Sequence, residues 1–134
     1  MDSITFSVIG FGRIGRRHAK IIYEYAHSKL VSITDVDSAQ LQQASELDIE
    51  ADSYTSIEEF IRSDAHQSQV VCVCTPNGFH TEYATKLLQA GYHVVIEKPM
   101  GLSKESCLEV IGAQEASGKR VFIVKQNRYS PPSM

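Results

Sequence analysis

The chain has 134 residues, 43% hydrophobic and 22% charged, which is enough apolar material for the core of one globular domain and too little for a second full one. Its net charge of −3, with Lys and Arg scattered among acidic residues, leaves no basic footprint for nucleic acid. No basic, then apolar leader opens the chain, and no apolar run approaches the roughly 18 residues needed to span a bilayer. A cytoplasmic protein with neither nucleic acid nor membrane as partner is expected.

The first apolar run, "ITFSVI" at residues 4–9, reads as a buried strand and leads directly into "GFGRIG" at residues 10–15. A helix follows in "RIGRRHAKIIYEYAHS", with Ile14, Ile21, Ile22 and Tyr25 expected on its apolar face. In that strand–loop–helix setting Gly10 would permit the tight turn and Gly12 would let the backbone approach a pyrophosphate. Gly15 would let the helix pack closely on the strand, and the N–H groups around Arg13 and Ile14 would face an anion. Arg13 either adds charge at that phosphate site or is simply solvated.

The second run, "LVSITDV", places Asp35 twenty residues beyond Gly15, where a carboxylate can accept from both hydroxyls of an adenosine ribose. A 2′-phosphate would meet that charge, and no Arg follows in "DVDSAQ", so NAD is expected rather than NADP. Asp37 is the alternative acid. Next come a helical stretch, "SAQLQQASELDI", a short edge strand, "ADSY", and a helix over "TSIEEFIRS" capped by its Thr or Ser.

In the second half, "QVVCVCT", "YHVVIEK" and "RVFIVKQ" are strands, separated by a helix stopped at Gly91 and another running from Ser103 to Gly118. Nearly continuous apolar strands alternating with helices imply a doubly wound parallel sheet of about six strands, the Rossmann α/β fold in order 3-2-1-4-5-6. Cys72, Cys74 and Cys107 lack metal spacing and read as small core side chains, and the five histidines show no i, i+4 pair, so no metal is expected.

Two loops leave the strands at the sheet edge where ligands bind. In "CTPNGFH", Thr75, Pro76 and Asn77 form a rigid polar turn and His80 opens the next helix. In "IEKPM", Glu97 and Lys98 emerge together ahead of Pro99. Lys98 either polarises or protonates a substrate oxygen as hydride moves, or forms an ordinary surface pair with Glu97.

The stretches "GFGRIGRRH", "TPNGFHTEYATKLLQAGYHVVIEKPM" and "VKQNRYSPP" together resemble the Gfo/Idh/MocA oxidoreductases over nearly the whole chain. The resemblance implies that Lys98 contacts nicotinamide and substrate as the catalytic residue. It also implies that Thr75, Pro76, Asn77 and His80 line the cofactor, that Glu97 sits near the nicotinamide ribose, and that Gln126 and Arg128 lie at the nicotinamide end. It further implies a dinucleotide-binding domain over residues 1–128, with residues 129–134 beginning the linker to a C-terminal substrate domain that would carry the sugar pocket and a second catalytic residue.

Within the family, "VKQNRYSPP" is most similar to nucleotide-sugar 3-dehydrogenases acting on UDP-N-acetylglucosamine or its uronic acid, with inositol and simple sugar dehydrogenases as alternatives. A separate possibility is a stand-alone NAD(H)-binding regulatory module. A homo-oligomer is expected, and the full-length form is expected to be the active enzyme, with this chain alone inactive.

Overall fold

The computed structural model describes residues 3–75, 80–97 and 104–124, with the main chain alone at 80, 97 and 124. Six strands form one parallel sheet in the order β3-β2-β1-β4-β5-β6. They are β1 (Ile4–Ile9), β2 (Ser28–Thr34), β3 (Asp52–Tyr54), β4 (Val70–Val73), β5 (His93–Glu97) and β6 (Val121–Val124). The helices are α1 (Arg13–Glu24), α2 (Ser38–Leu41), α3 (Gln43–Glu46), α4 (Ile57–Asp64), α5 (His80–Gln89) and α6 (Lys104–Ser117). This is the Rossmann α/β fold expected from the alternating pattern. Among the described residues, no helix is long and apolar enough to cross a membrane.

The register brings one residue of each strand into a single row, Tyr54, Thr34, Ile9, Val73, Ile96 and Ile123, close to the C-terminal ends. The chain leaves β1 toward β2 and β3, then crosses back to β4 on the other side of β1. A crevice therefore opens at the C-terminal ends of β1 and β4, where the loops diverge in opposite directions.

Strand alternation sends neighbouring residues into two cores. Val8, Ile33 and Cys72 join Phe11, Ala19 and Ile22 beneath α1, whereas Ile9, Val71, Val73, Val94 and Ile96 pack with residues of α4, α5 and α6 on the opposite face. On that second face a buried polar network ties the elements together. Asp64 accepts from the Tyr92 hydroxyl at 3.0 Å and from the Ser68 hydroxyl at 2.8 Å, and Ser7 Oγ lies 2.7 Å from both Ser68 Oγ and Ser32 Oγ.

Three expectations need correction. The buried stripe of α1 is Gly15, Ala19 and Ile22, while Ile21 is 61% exposed and Tyr25, at the helix C-cap, 59% exposed. Small residues let α1 approach the sheet closely, and this rotates the larger Ile21 outward. The helical stretch after β2 is broken into α2 and α3 at Gln42. Cys74 lies beyond the end of β4 and is half-buried, in contrast to the core residue Cys72. The predicted cap Ser103 and the linker residues 129–134 lie outside the described residues.

Candidate functional site

The glycine loop is shaped by two contacts that exclude side chains. Gly10 has φ +93°, and a Cβ there would stand 2.8 Å from the Cys74 carbonyl carbon and the Thr75 nitrogen. Only glycine combines this left-handed conformation with so close a neighbour. A Cβ on Gly15 would overlap the Gly10 carbonyl oxygen, so the first turn of α1 rests directly on the loop. Gly12 differs from both: it has φ −78°, and among the described residues no heavy atom beyond its chain neighbours and its own helix backbone lies within 4 Å of where its Cβ would be.

Gly12 is also the N-cap of α1, and no side chain among the described residues caps that helix end. The first-turn N–H groups and the positive end of the helix dipole are thus directed at open space above a glycine. A diphosphate fits such a site: it needs donors and close backbone approach, and both are present.

Asp35 stands just past β2, on the far side of the loop. Its Oδ2 accepts from Phe11 N at 2.7 Å and its Oδ1 from Asp37 N at 2.9 Å. Asp37 has a separate task, since its carboxylate caps α2 by accepting from Ala39 N at 2.9 Å. Of the two acids, Asp35 is the one drawn against the glycine loop.

A cleft of about 550 Å³ runs across the sheet edge. Gly10, Gly12, Arg13, Ile14, Asp35, Asp37 and Thr75 all line it, and Gly15 is absent from the lining. The side chains of His80 and Glu97, together with Pro76, Asn77, Lys98, Gln126 and Arg128, lie outside the described residues.

The cleft also holds residues that the motif reading passed over: Val36, Gln40, Ser56, Ile57, Cys74 and Tyr83. Ser56 caps α4 by accepting from Glu59 N at 3.0 Å. Tyr83 stands three residues beyond His80 on α5, a spacing that places both on one side of the helix and could have flagged it. Burial is the main cause that raises the Tyr83 phenol above its ordinary pKa, and the charges of Glu82, Glu58 and Asp35 add to it.

An uncapped helix start beneath a glycine loop, with an acid at the end of the next strand, defines a dinucleotide-binding Rossmann domain. Residues 4–125 match the model of the Gfo/Idh/MocA oxidoreductase family, NAD-binding Rossmann fold, and the chain belongs to that family. It is 32% identical over 124 residues to an inositol 2-dehydrogenase/D-chiro-inositol 3-dehydrogenase of Halalkalibacterium halodurans, covering 91% of this chain and 35% of that protein. The WlbA dehydrogenase of Bordetella pertussis, solved with NADH and UDP-GlcNAcA, is 32% identical with a TM-score of 0.83, covering 91% of this chain and 37% of that one. A scyllo-inositol dehydrogenase from Lactobacillus casei, solved with NAD(H) and scyllo-inositol, is 26% identical with a TM-score of 0.80, covering 91% and 36%. The chain thus spans little more than a third of the length of these relatives, and its cofactor is NAD.

Proposed function

We propose that this chain is the cofactor half of an oxidoreductase that moves hydride between nicotinamide and a hydroxyl-bearing carbon of a sugar or nucleotide sugar. The observation that carries this reading is the cleft in which the uncapped start of α1 and the Asp35 carboxylate face one space. In it, the backbone around Gly12 to Ile14 holds the diphosphate, with Arg13 adding charge, and Asp35 accepts from the adenosine ribose. Thr75, Pro76, Asn77 and His80 line the cofactor beyond it. Glu97, Gln126 and Arg128 belong to the nicotinamide end, and Lys98 is the catalytic residue that polarises the reacting oxygen. NAD supplies the hydride acceptor, and the protein supplies position and charge.

The nucleotide-sugar reading is supported by "VKQNRYSPP" and by the likeness to the WlbA enzyme crystallised with UDP-GlcNAcA. A second reading, inositol oxidation, is favoured by the equal identity to the Halalkalibacterium inositol dehydrogenase.

Calorimetry with NAD and NADP tests the cofactor site: NAD binds more tightly, and Asp35→Ala erases the preference. Tighter binding of NADP by the unaltered protein overturns the role of Asp35. With the full-length protein, NADH formation on UDP-GlcNAcA against myo- and scyllo-inositol decides the substrate. Single-turnover hydride transfer in Lys98→Met then falls far more than NAD affinity, because an acid or polarising group acts in the transition state. Unchanged transfer returns Lys98 to surface charge.

A further inference from the structure

Behind Asp35 the hydrogen bonds close into a ring. Phe11 N–H donates to Asp35 Oδ2 at 2.7 Å, and the carbonyl of the same residue accepts from Arg16 Nη1 at 3.2 Å. Arg16 Nη1 also donates to Gln40 Oε1 at 2.7 Å. Gln40 N–H donates to the Asp37 carbonyl at 3.0 Å, and Asp37 N–H returns to Asp35 Oδ1 at 2.9 Å. Three segments, the glycine loop, the first turn of α1 and the turn into α2, are joined through one guanidinium.

We propose that Arg16 is a positioning residue that fixes how the Asp35 carboxylate meets the adenosine ribose, acting through the Phe11 peptide on one side and Gln40 on the other. The proposal rests on the reading of Asp35 as the ribose acceptor. Arg16 does not line the cleft, whereas Arg13 does, so its influence travels through the groups it holds.

The physical need for such a device lies in the loop. Phe11 is flanked by Gly10 and Gly12, the residues least able to fix a peptide plane by their own torsional preferences. Its side chain is fully buried, which anchors Cβ but leaves the peptide free to tilt. With the carbonyl held by Arg16, the plane of the Phe11–Gly12 peptide is set, and the loop carrying the Phe11 N–H stays directed at Asp35.

On the other side, α2 is four residues long and buries none of them, so packing does little to place it. The Arg16–Gln40 bond ties it to α1, and the Asp37 N–H comes with it. Asp35 then receives one N–H on each oxygen, from two segments that Arg16 holds together. Each oxygen keeps capacity for one more donor, which suits a pair of vicinal hydroxyls. Both bonds that hold these segments come from Arg16 Nη1, whose two hydrogens serve the Phe11 carbonyl and the Gln40 amide oxygen at once.

The test titrates NAD and its 2′-deoxyadenosine analogue calorimetrically into the protein. The unaltered protein is expected to prefer NAD by about tenfold or more, the worth of a hydrogen bond to a charged acceptor. Arg16→Met keeps the apolar stem and removes the donor, and the preference narrows to about twofold. Gln40→Ala narrows it as well, and the double variant goes little further, since both act on one chain of contacts.

An unaltered preference in Arg16→Met and Gln40→Ala, whatever happens to absolute affinity or melting temperature, reduces Arg16 to a packing role and overturns the proposal. If Arg16→Met does not fold, Arg16→Gln, which stays polar but is too short to hold both acceptors, decides between these outcomes, because Gln40 itself lines the cleft. Equal binding of NAD and the deoxy analogue by the unaltered protein removes the ribose role of Asp35, and the positioning role falls with it.

Discussion

Gly15 stacks on Gly10: a Cβ added to Gly15 would coincide with the space of the Gly10 carbonyl oxygen, so the start of α1 is seated on the loop it follows. The fully buried Val8 is also in contact, its Cγ1 3.4 Å from the same point. The atoms that clash are backbone, which cannot yield cheaply. Gly15→Ala is therefore expected to destabilise the fold by about 3 kcal/mol or more, at the upper end of overpacking costs. Urea denaturation checks this, and a loss below about 1 kcal/mol would show that α1 can lift from the sheet.

Gly12 makes the opposite prediction. Its φ of −78° suits any residue, and no other described part of the chain crowds the site of a Cβ. Gly12→Ala should cost less than about 1 kcal/mol of stability, roughly the difference between glycine and alanine at an N-cap. The methyl group, however, occupies the space where the diphosphate approaches the backbone, so NAD affinity should fall at least about tenfold. Two alanines three residues apart thus separate folding from binding, the first read by denaturation and the second by calorimetry.

The strand pattern was legible because parallel strands covered on both faces must be apolar almost throughout, and the runs around Val8, Val71 and Val94 meet that demand. The glycine loop and Asp35 were legible because their spacing reflects local geometry. The break at Gln42 was not, since neither glycine nor proline marks it and the left-handed residue that follows α3 is Asp48, with φ 58°. The apolar face of α1 was misjudged because size was taken as the guide, whereas Gly15 and Ala19 bury the helix by being small. The place of Ser56 and Tyr83 in the cleft was not legible, because only the crossover to β4 brings the starts of α4 and α5 to the edge occupied by the loop.

Tyr92 is almost wholly buried, and its hydroxyl donates to Asp64. Burial first, then the hydrogen bond and charge of Asp64, raise its pKa above the ordinary value of 10.0. The unfolded phenol therefore loses its proton near pH 10 while the folded one keeps it. The stabilisation is fully present below about pH 10 and is lost as pH rises beyond it, at up to about 1.4 kcal/mol per pH unit. Tyr92→Phe should cost about 1–3 kcal/mol near neutrality, because Asp64 loses a buried donor. It should also flatten the alkaline decline, as read by urea midpoints between pH 8 and 11. An equally steep decline in the variant would assign the effect to other groups.

Cys74 offers a chemical report on the cleft. It follows β4, donates its N–H to the Ile9 carbonyl at 2.8 Å and lines the cleft beside Thr75. Cys72 is 3% exposed in the core, and Cys107 is half-buried on α6, outside the cleft lining. A maleimide under native conditions should therefore modify Cys74 and Cys107 ahead of Cys72, since reaction requires access to the thiolate. With NAD at ten times its Kd, about one site in eleven remains empty, so modification of Cys74 should slow about tenfold while that of Cys107 is unchanged. Mass spectrometry of the separated peptides reads each cysteine independently. Equal slowing at Cys74 and Cys107 would indicate general tightening of the fold. An unchanged rate at Cys74 with NAD demonstrably bound would place the cofactor away from the crevice between β1 and β4, and with it away from Gly10 and Asp35.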